Sequence, residues 1–312
     1  MNRSSEGDSG HGLVDAAPLR EAGLDPRAVE AVVEAALQED LAGGVDVTSI
    51  ATVPGEQRAV LEFVARSPGV VAGLPVAAAA VRIACGPGVS VVIVATDGDN
   101  VEAGDVLMTA TGPTRSLMLV ERTALNLLCH LSGVATATSR WVSAVDGTGA
   151  HVRDTRKTTP GLRALQKYAV RCGGGMNHRM SLSDAALVKD NHVVAAGGVA
   201  EAFEAVRRRF PAVPVEVEVD SVDQLLEVLA AGADRVLLDN FTVEQMRTAV
   251  EINAGRAMLE ASGGLTLDQA AAVAATGVDY LAVGAITHSA AALDIGADLR
   301  VLPPEDAQDG SG

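Results

Sequence analysis

From Gly147 onward the chain alternates short apolar runs with amphipathic stretches, and this rhythm restricts its fold more than any other feature. The runs HVRDT, AALVKD, VEVEVD, RVLLDN, AMLEASGG and YLAVGA have the composition of strands. Helix-like segments such as VDQLLEVLAA, TVEQMRTAVEIN and LDQAAAVAAT stand between several of them. Strand and helix in repeated alternation call for parallel strands joined by crossover helices. Such units suit a barrel related to the eightfold β/α design but with fewer strands, and an open doubly wound sheet is the competitor. Polar residues stand at the carboxyl end of nearly every run, where barrels carry their sites. An open sheet would gather them at one switch point, so the barrel is the favoured reading. Aromatic residues make up only 2% of the chain, which leaves Val, Leu, Ile and Ala to build the core.

Upstream, the fold is expected to begin near Pro18. DPRAVEAVVEAALQED reads as an amphipathic helix with Asp25 as its cap and Pro26 at the first helical position. From Gly43 to Thr111 the pattern turns to β-rich runs, RAVLEFVA and VSVVIVA, separated by SPG, CGPG and DGD turn signals. ATDGDNVEAGDVLMTATG reads as a strand, a tight turn and another strand, and AAAAVRIA as a helix over one face of a small α+β layer. SLMLVERTALNLLCHLSGVATATSRWVSAV has helical periodicity, with Leu117, Val120, Ala124, Leu128 and Leu131 on one stripe. Arg122 falls off that stripe, beside Met118, Leu125 and Cys129. A solvated surface charge is the plain reading; the second apolar strip adds the alternative that this face meets another subunit, with the arginine reaching into it.

The chain carries 40 acidic against 24 basic residues and a net charge of -16, which excludes the extended basic face that a nucleic-acid backbone requires. Yet His151 to His192 holds Arg153, Arg156, Lys157, Arg163, Lys167, Arg171, Arg179 and Lys189 against only Asp154, Asp184 and Asp190. A cleft that concentrates positive charge in this way suits a substrate with several negative charges. Cys85, Cys129 and Cys172 have neither CxxC spacing nor an even count, and read as small core residues in a reducing compartment. The first seventeen residues lack the apolar run of a signal peptide, and no stretch is long enough to span a bilayer, so a cytoplasmic location is expected.

At the carboxyl ends of the runs stand Arg156 and Lys157, Lys189, Glu218 with Asp220, Asp239, Ser262 with Gly263 and Gly264, and Gly284, which form one ring if the barrel closes. After the first run a helix is predicted between Thr159–Pro160 and the triple glycine Gly173–Gly175. Leu162, Leu165, Ala169 and Cys172 would be its inner stripe, and Arg163, Lys167 and Arg171 a solvated ridge. Asn177, His178 and Arg179 follow in an irregular segment, where an arginine tends to face a ligand. Glycine turns after the last two runs offer backbone N–H groups to a phosphate. Glu218 and Asp239 suit a cation-bridged pyrophosphate, sugar hydroxyls or a positively charged transition state. Arg156 and Arg179 suit planar carboxylates. The ring therefore reads as two half-sites, one for a diacid and one for a phosphorylated sugar.

TRKTTPGLRALQKYAVRCGGGMNHRMSLSDAALVKDNH, with ERTALNLL before it and EVEVD, LLDN, EASGG and LAVGAITHS after it, resembles the quinolinate phosphoribosyltransferase family. The resemblance runs from near Pro18 to near Leu302; one departure is Thr159, where a larger apolar residue is expected. It implies an N-terminal α+β sandwich followed by an incomplete α/β barrel of about six or seven parallel strands. The chain then divides into a disordered start over 1–17, the sandwich over 18–130, the barrel over 131–288, a segment over 289–302 returning to the first domain, and a loose end over 303–312. The implied reaction joins quinolinate to phosphoribosyl pyrophosphate with Mg2+, giving nicotinate mononucleotide, pyrophosphate and CO2. Arg156, His178, Arg179 and Lys189 would hold quinolinate, completed by Thr155 and Lys157 and by Arg122 from a neighbouring subunit. Lys157, Glu218, Asp239, Ser262, Gly263, Gly264, Gly284, Ala285, Ile286 and His288 would hold phosphoribosyl pyrophosphate. Lys189, Glu218 and Asp239 would act in catalysis, and the two carboxylates would bind Mg2+ directly or through water. The implied assembly is a homodimer, or a hexamer made of three dimers. Competing readings are a relative on the same scaffold with another acid acceptor, a Schiff-base aldolase using Lys189, and an anion-binding module without catalysis.

Overall fold

The computed structural model describes residues 16–304. The tails predicted over 1–17 and 303–312 lie outside these residues except at their inner edges, where a short helix already begins at Ala17. The chain divides into two compact units: one takes the residues up to Pro68, Gly73–Cys129 and those from Asp294, the other Gly69–Ala72 and His130–Leu293.

The first unit is built on a four-stranded antiparallel sheet in the order Ile295–Val301, Arg58–Ala65, Val106–Pro113, Ser90–Ile93. Arg58–Ala65 shows why: Ala59, Leu61 and Phe63 alternate along it and are wholly buried, the period of a strand with one covered face. The Pro26–Leu41 helix starts as its sequence predicts, Asp25 Oδ1 accepting the Arg27 N–H at 3.0 Å with proline in the first turn. Leu74–Cys85 is the helix predicted from the alanine run, buried along Val76–Val81. The single tight turn predicted within ATDGDNVEAGDVLMTATG is instead a pair of turns, closed by Asp99 on the Thr96 N–H and by Asp105 on the Glu102 N–H.

The second unit is a six-stranded parallel sheet in the order His151–Arg153, Tyr280–Ala282, Met258–Ser262, Arg235–Asp239, Val215–Val219, Ala186–Val188. All six predicted runs are strands. Apart from the first, neighbours in the sheet are neighbours in the chain, and the first strand pairs with the last. A doubly wound sheet reverses its order midway; this one runs once around, as a barrel does. It does not close: His151–Arg153 and Ala186–Val188 are the two edges, so the ring of strand ends predicted for a closed barrel is interrupted at that point. Residues Gly69–Ala72 join this unit because the Val70 and Ala72 N–H groups bond to the Thr136 and Ser132 hydroxyls at 2.8 and 3.0 Å. Gly69 is required there, since a Cβ would stand 2.5 Å from Leu293 and 2.7 Å from Thr136. Thr114–Ala144 is one helix of 31 residues, with its buried stripe at Leu117, Val120, Ala124, Leu128 and Leu131 as predicted.

Candidate active site

Alternation along the parallel strands sorts their residues into two faces. Val215, Val217, Val219, Val236, Leu238, Leu259, Ala261 and Leu281 are buried. Between them Glu216, Glu218, Leu237, Asp239, Glu260, Ser262 and Ala282 take the opposite face, where the register sets Glu218 and Glu260 on either side of Leu237 and Asp239 beside Ser262. A cavity of about 570 Å³ opens on that face. Of the predicted residues, Thr155, Arg156, Lys157, His178, Arg179, Lys189, Glu218, Asp239, Ser262, Gly263 and Gly264 line it. Gly284, Ala285, Ile286 and His288 are not part of the lining. Ile286 is buried, His288 is exposed with Nδ1 2.6 Å from Ser289 Oγ, and Gly284 borders the site through Lys157, whose Cδ would lie 3.0 Å from a Cβ at that position. Arg122 is exposed on the long helix, within the first unit.

One wall is cationic. Arg179 anchors Nη1 on the Ala185 carbonyl at 2.9 Å, and burial, then the like charge of Arg156, works against its protonation. A guanidinium stays ionised under such pressure, so both arginines face the cavity as cations. The same cavity holds two carboxylates: Lys189 Nζ donates to Glu218 Oε2 at 3.0 Å, and Asn240 Nδ2 donates to Asp239 at 2.7 Å. Asn240 itself has a left-handed φ of 57°, and Gly263 lies so close that a Cβ would come within 2.3 Å of Asn240 Oδ1. Gly263 and Gly264 both have positive φ, 94° and 58°, which glycine adopts without penalty.

The loop that bears the arginines departs from its prediction. Its helix begins at Arg163, later than Thr159–Pro160, because the Thr159 N–H turns inward to Gln166 Oε1 at 2.8 Å. The predicted ridge of Arg163, Lys167 and Arg171 is broken, since Lys167 is wholly buried and pairs with the wholly buried Asp154. Asp154 also accepts from Asn177 Nδ2 at 2.6 Å and the His178 N–H at 2.9 Å, while Lys167 donates to the His178 carbonyl at 2.9 Å. Burial pushes the Asp154 carboxyl up and the Lys167 ammonium down, and the three donors on the carboxylate favour the ionic pair against that pressure. Spacing alone placed Lys167 on a solvated face; the carboxylate of Asp154, just past the end of the first strand, reverses the assignment. The pair pins Asn177–Arg179, the segment that delivers Arg179 to the cavity.

Two buried carboxylates that the sequence reading passed over, Glu216 and Glu260, share this face, and Glu260 lines the cavity itself. His178 Nε2 is 2.6 Å from Glu216 Oε2 and 3.6 Å from Glu260 Oε1, and Glu260 Oε2 accepts from Arg153 Nη1 at 2.7 Å. Arg153 also stacks over the Tyr280 ring at 4.3 Å. His178 Nδ1 accepts the Arg179 N–H at 2.8 Å, so the ring proton sits on Nε2 and points at Glu216. Both ring nitrogens are thus engaged within the protein. Burial first, and Glu216 second, push the Glu260 carboxyl up to about 7, against His178 and Arg153, which pull it down. The signal for both was present in the alternation of VEVEV and in the Glu two residues before Ser262. His178, Glu216 and Glu260 have the donor types of a metal site, but a ring that donates from Nε2 has no lone pair there to give.

Two family models match the chain: Quinolinate phosphoribosyl transferase, N-terminal domain, over residues 46–132, and its C-terminal domain over residues 134–298. A nicotinate-nucleotide pyrophosphorylase (carboxylating) of Mycobacterium leprae is 53% identical over 271 residues, 86% of this chain and 95% of that one. A probable enzyme of the same name from Bacillus subtilis is 40% identical over 84% of this chain and 90% of its own. The crystal structure of NadC from Streptococcus pyogenes superposes with a TM-score of 0.86 at 39% identity, covering 90% of this chain and 99% of that one.

Proposed function

The chain belongs to the quinolinate phosphoribosyltransferase family, so its reaction joins quinolinate to phosphoribosyl pyrophosphate with loss of CO2, and we propose that this takes place in the cavity at the strand ends. The product is nicotinate mononucleotide, formed on the route to NAD. The observation that supports the placement is the convergence on one cavity of Arg156, Lys157, Arg179 and Lys189 with Glu218 and Asp239.

Arg156 and Arg179, with Lys189 and the Thr155–Lys157 strand end, take the two carboxylates, a planar dianion that guanidinium groups hold bidentately. His178 contributes the shape of its ring to that wall and holds the Arg179 main chain. Ser262, Gly263 and Gly264 offer a hydroxyl and open backbone to the sugar phosphate, with Lys157 and the adjoining Gly284–His288 turn beside it. Glu218 and Asp239 face the ribose, accept its hydroxyls and stabilise the positive charge that builds on the anomeric carbon as pyrophosphate departs. Magnesium fits the same pair, because carboxylate oxygens are the donors a hard cation takes; bound there it would offset the charge of the departing pyrophosphate. The protein's principal task is to align the ring nitrogen with the anomeric carbon. Once that nitrogen is ribosylated and positive, the bond to the adjacent carboxyl breaks, CO2 leaves, and the electron pair left on the ring carbon takes up a proton.

The same reading extends to assembly and location. Arg122 is exposed, off the buried stripe of its helix and one turn from the exposed Met118, as a residue lent to a second copy would be, in a homodimer or three such dimers. The free thiols Cys85 and Cys129 support a reducing compartment, the cytoplasm. Among the described residues no helix is long and apolar enough to cross a membrane.

A Schiff-base aldolase fits less well, because Lys189 is half exposed and paired with Glu218 instead of enclosed by apolar groups. Incubation with quinolinate, phosphoribosyl pyrophosphate and Mg2+ tests the proposal, with nicotinate in parallel. Release of CO2 with nicotinate mononucleotide is expected from quinolinate; product from nicotinate alone, without CO2, would reject it.

A further inference from the structure

Gln166 is wholly buried in the helix after the arginine loop, yet its amide reaches three separate segments. Oε1 accepts the Thr159 N–H at 2.8 Å, which fixes the orientation of the amide, since that N–H can only donate. Nε2 then lies 3.1 Å from Thr159 Oγ1, 3.0 Å from the Thr287 carbonyl and 2.8 Å from His130 Nε2. Burial lowers the His130 pKa and so favours the neutral ring, and because the amide nitrogen can only donate, the ring accepts at Nε2. Thr287 closes the circuit: its Oγ1 is 2.9 Å from the Lys157 carbonyl and 3.0 Å from that of Gly284. One amide therefore ties the loop that carries Arg156 and Lys157 to the Gly284–His288 turn.

We propose that Gln166 is a positioning residue that couples the two half-sites, so that filling the diacid side through Arg156 and Lys157 sets the Gly284–His288 turn beside the phosphoribosyl side, and the reverse. This rests on the assignment of those half-sites made above. An apolar residue of the same length would leave the Thr287 carbonyl buried without a partner and take from the part-buried Thr159 N–H its acceptor, and the loop and the turn relieve that by moving apart. The effect then appears in how the two ligands assist one another, a quantity that overall destabilisation does not alter.

The test uses phthalate, which has the two carboxylates of quinolinate and no ring nitrogen to react. The dissociation constant of phosphoribosyl pyrophosphate is measured by calorimetry with Mg2+, with and without saturating phthalate, for the wild type and for Gln166→Met. In the wild type phthalate is expected to tighten binding by at least about 5-fold, the lower edge of ordinary coupling; in Gln166→Met the ratio falls toward one. An unchanged ratio in the variant, or no coupling in the wild type, overturns the proposal. If Gln166→Met does not fold, Thr287→Val, which removes only the hydroxyl between Lys157 and Gly284, is read by the same ratio and must also lower it. Turnover of quinolinate by the wild type is recorded in the same preparation, so failure of the coupling and failure of the assigned reaction remain distinguishable.

Discussion

Replacing Glu260 with Gln should flatten the pH dependence of stability. The native carboxyl is 1% exposed and is pushed up to about 7, against 4.5 for an ordinary glutamate. Below the lower value the group is protonated in both the folded and unfolded chain, and the stability it allows is fully present. As pH rises from 4.5 toward 7 the unfolded chain releases its proton while the native one keeps it, so stability falls; above 7 both are ionised and the loss is complete. Each tenfold change in proton affinity is worth about 1.4 kcal/mol, so the wild type should lose about 2 to 3 kcal/mol from this group between about pH 5 and about pH 8. Glutamine has the shape of the protonated acid, can still accept from Arg153 and carries no proton to lose. Urea denaturation of both proteins at the two pH values measures the difference directly, and the other titrating groups cancel in the comparison. Glu216→Gln removes the second cause of the displacement and should give an intermediate slope. Equal pH dependence in wild type and Glu260→Gln would refute the assignment of a raised pKa to this group.

Loss of a charge-assisted contact is worth about 1.5 to 3 kcal/mol, so Arg179→Ala, and Arg122→Ala if a second copy lends that residue, should each lower kcat/KM for quinolinate about 10- to 150-fold. Wild-type kinetics for both would remove the diacid half of the site. Lys167→Met leaves Asp154 buried without its cation and should cost about 3 to 5 kcal/mol in chemical denaturation; a loss within experimental error would return Lys167 to the solvated face. Gly263→Ala forces a Cβ against Asn240 at a φ of 94°, which should cost about 2 kcal/mol or more through left-handed strain and overpacking. Thermal denaturation together with the KM for phosphoribosyl pyrophosphate reports it, and unchanged values for both would show that the turn has room.

Each strand of the barrel unit was legible because parallel strands covered by helices need apolar residues at every second position, and the chain writes that period plainly from HVR to YLA. The cap at Asp25, the helix over the alanine run and the stripe from Leu117 to Leu131 were legible for the same reason: local geometry depends on near neighbours in the chain. The boundary of the arginine-loop helix was misread because Thr159 bonds to a side chain seven residues on, a contact that turn preferences do not encode. Arg156, Lys189, Glu218, Asp239 and the Ser262–Gly264 turn were singled out by their position at strand ends and Arg179 by its irregular segment, and all of them line one cavity. Gly284 and its successors follow a strand in the same way but border the cavity only through Lys157.

Composition and periodicity by themselves determined the number of strands, their parallel sense, the acidic exterior and the basic stretch set against it, since each is a property of residues counted or spaced along the chain. Only the tertiary structure decided which charges are buried. Lys167 has the spacing of a surface residue and Glu260 that of one more inward position on a strand, and nothing local separates them from their solvated neighbours. Their states depend on Asp154, Glu216, His178 and Arg153, which the fold brings to them, Asp154 from 13 residues away along the chain and Arg153 from 107. The free energy of a charge is set by what surrounds it in space, and that surrounding exists only once the strands have met.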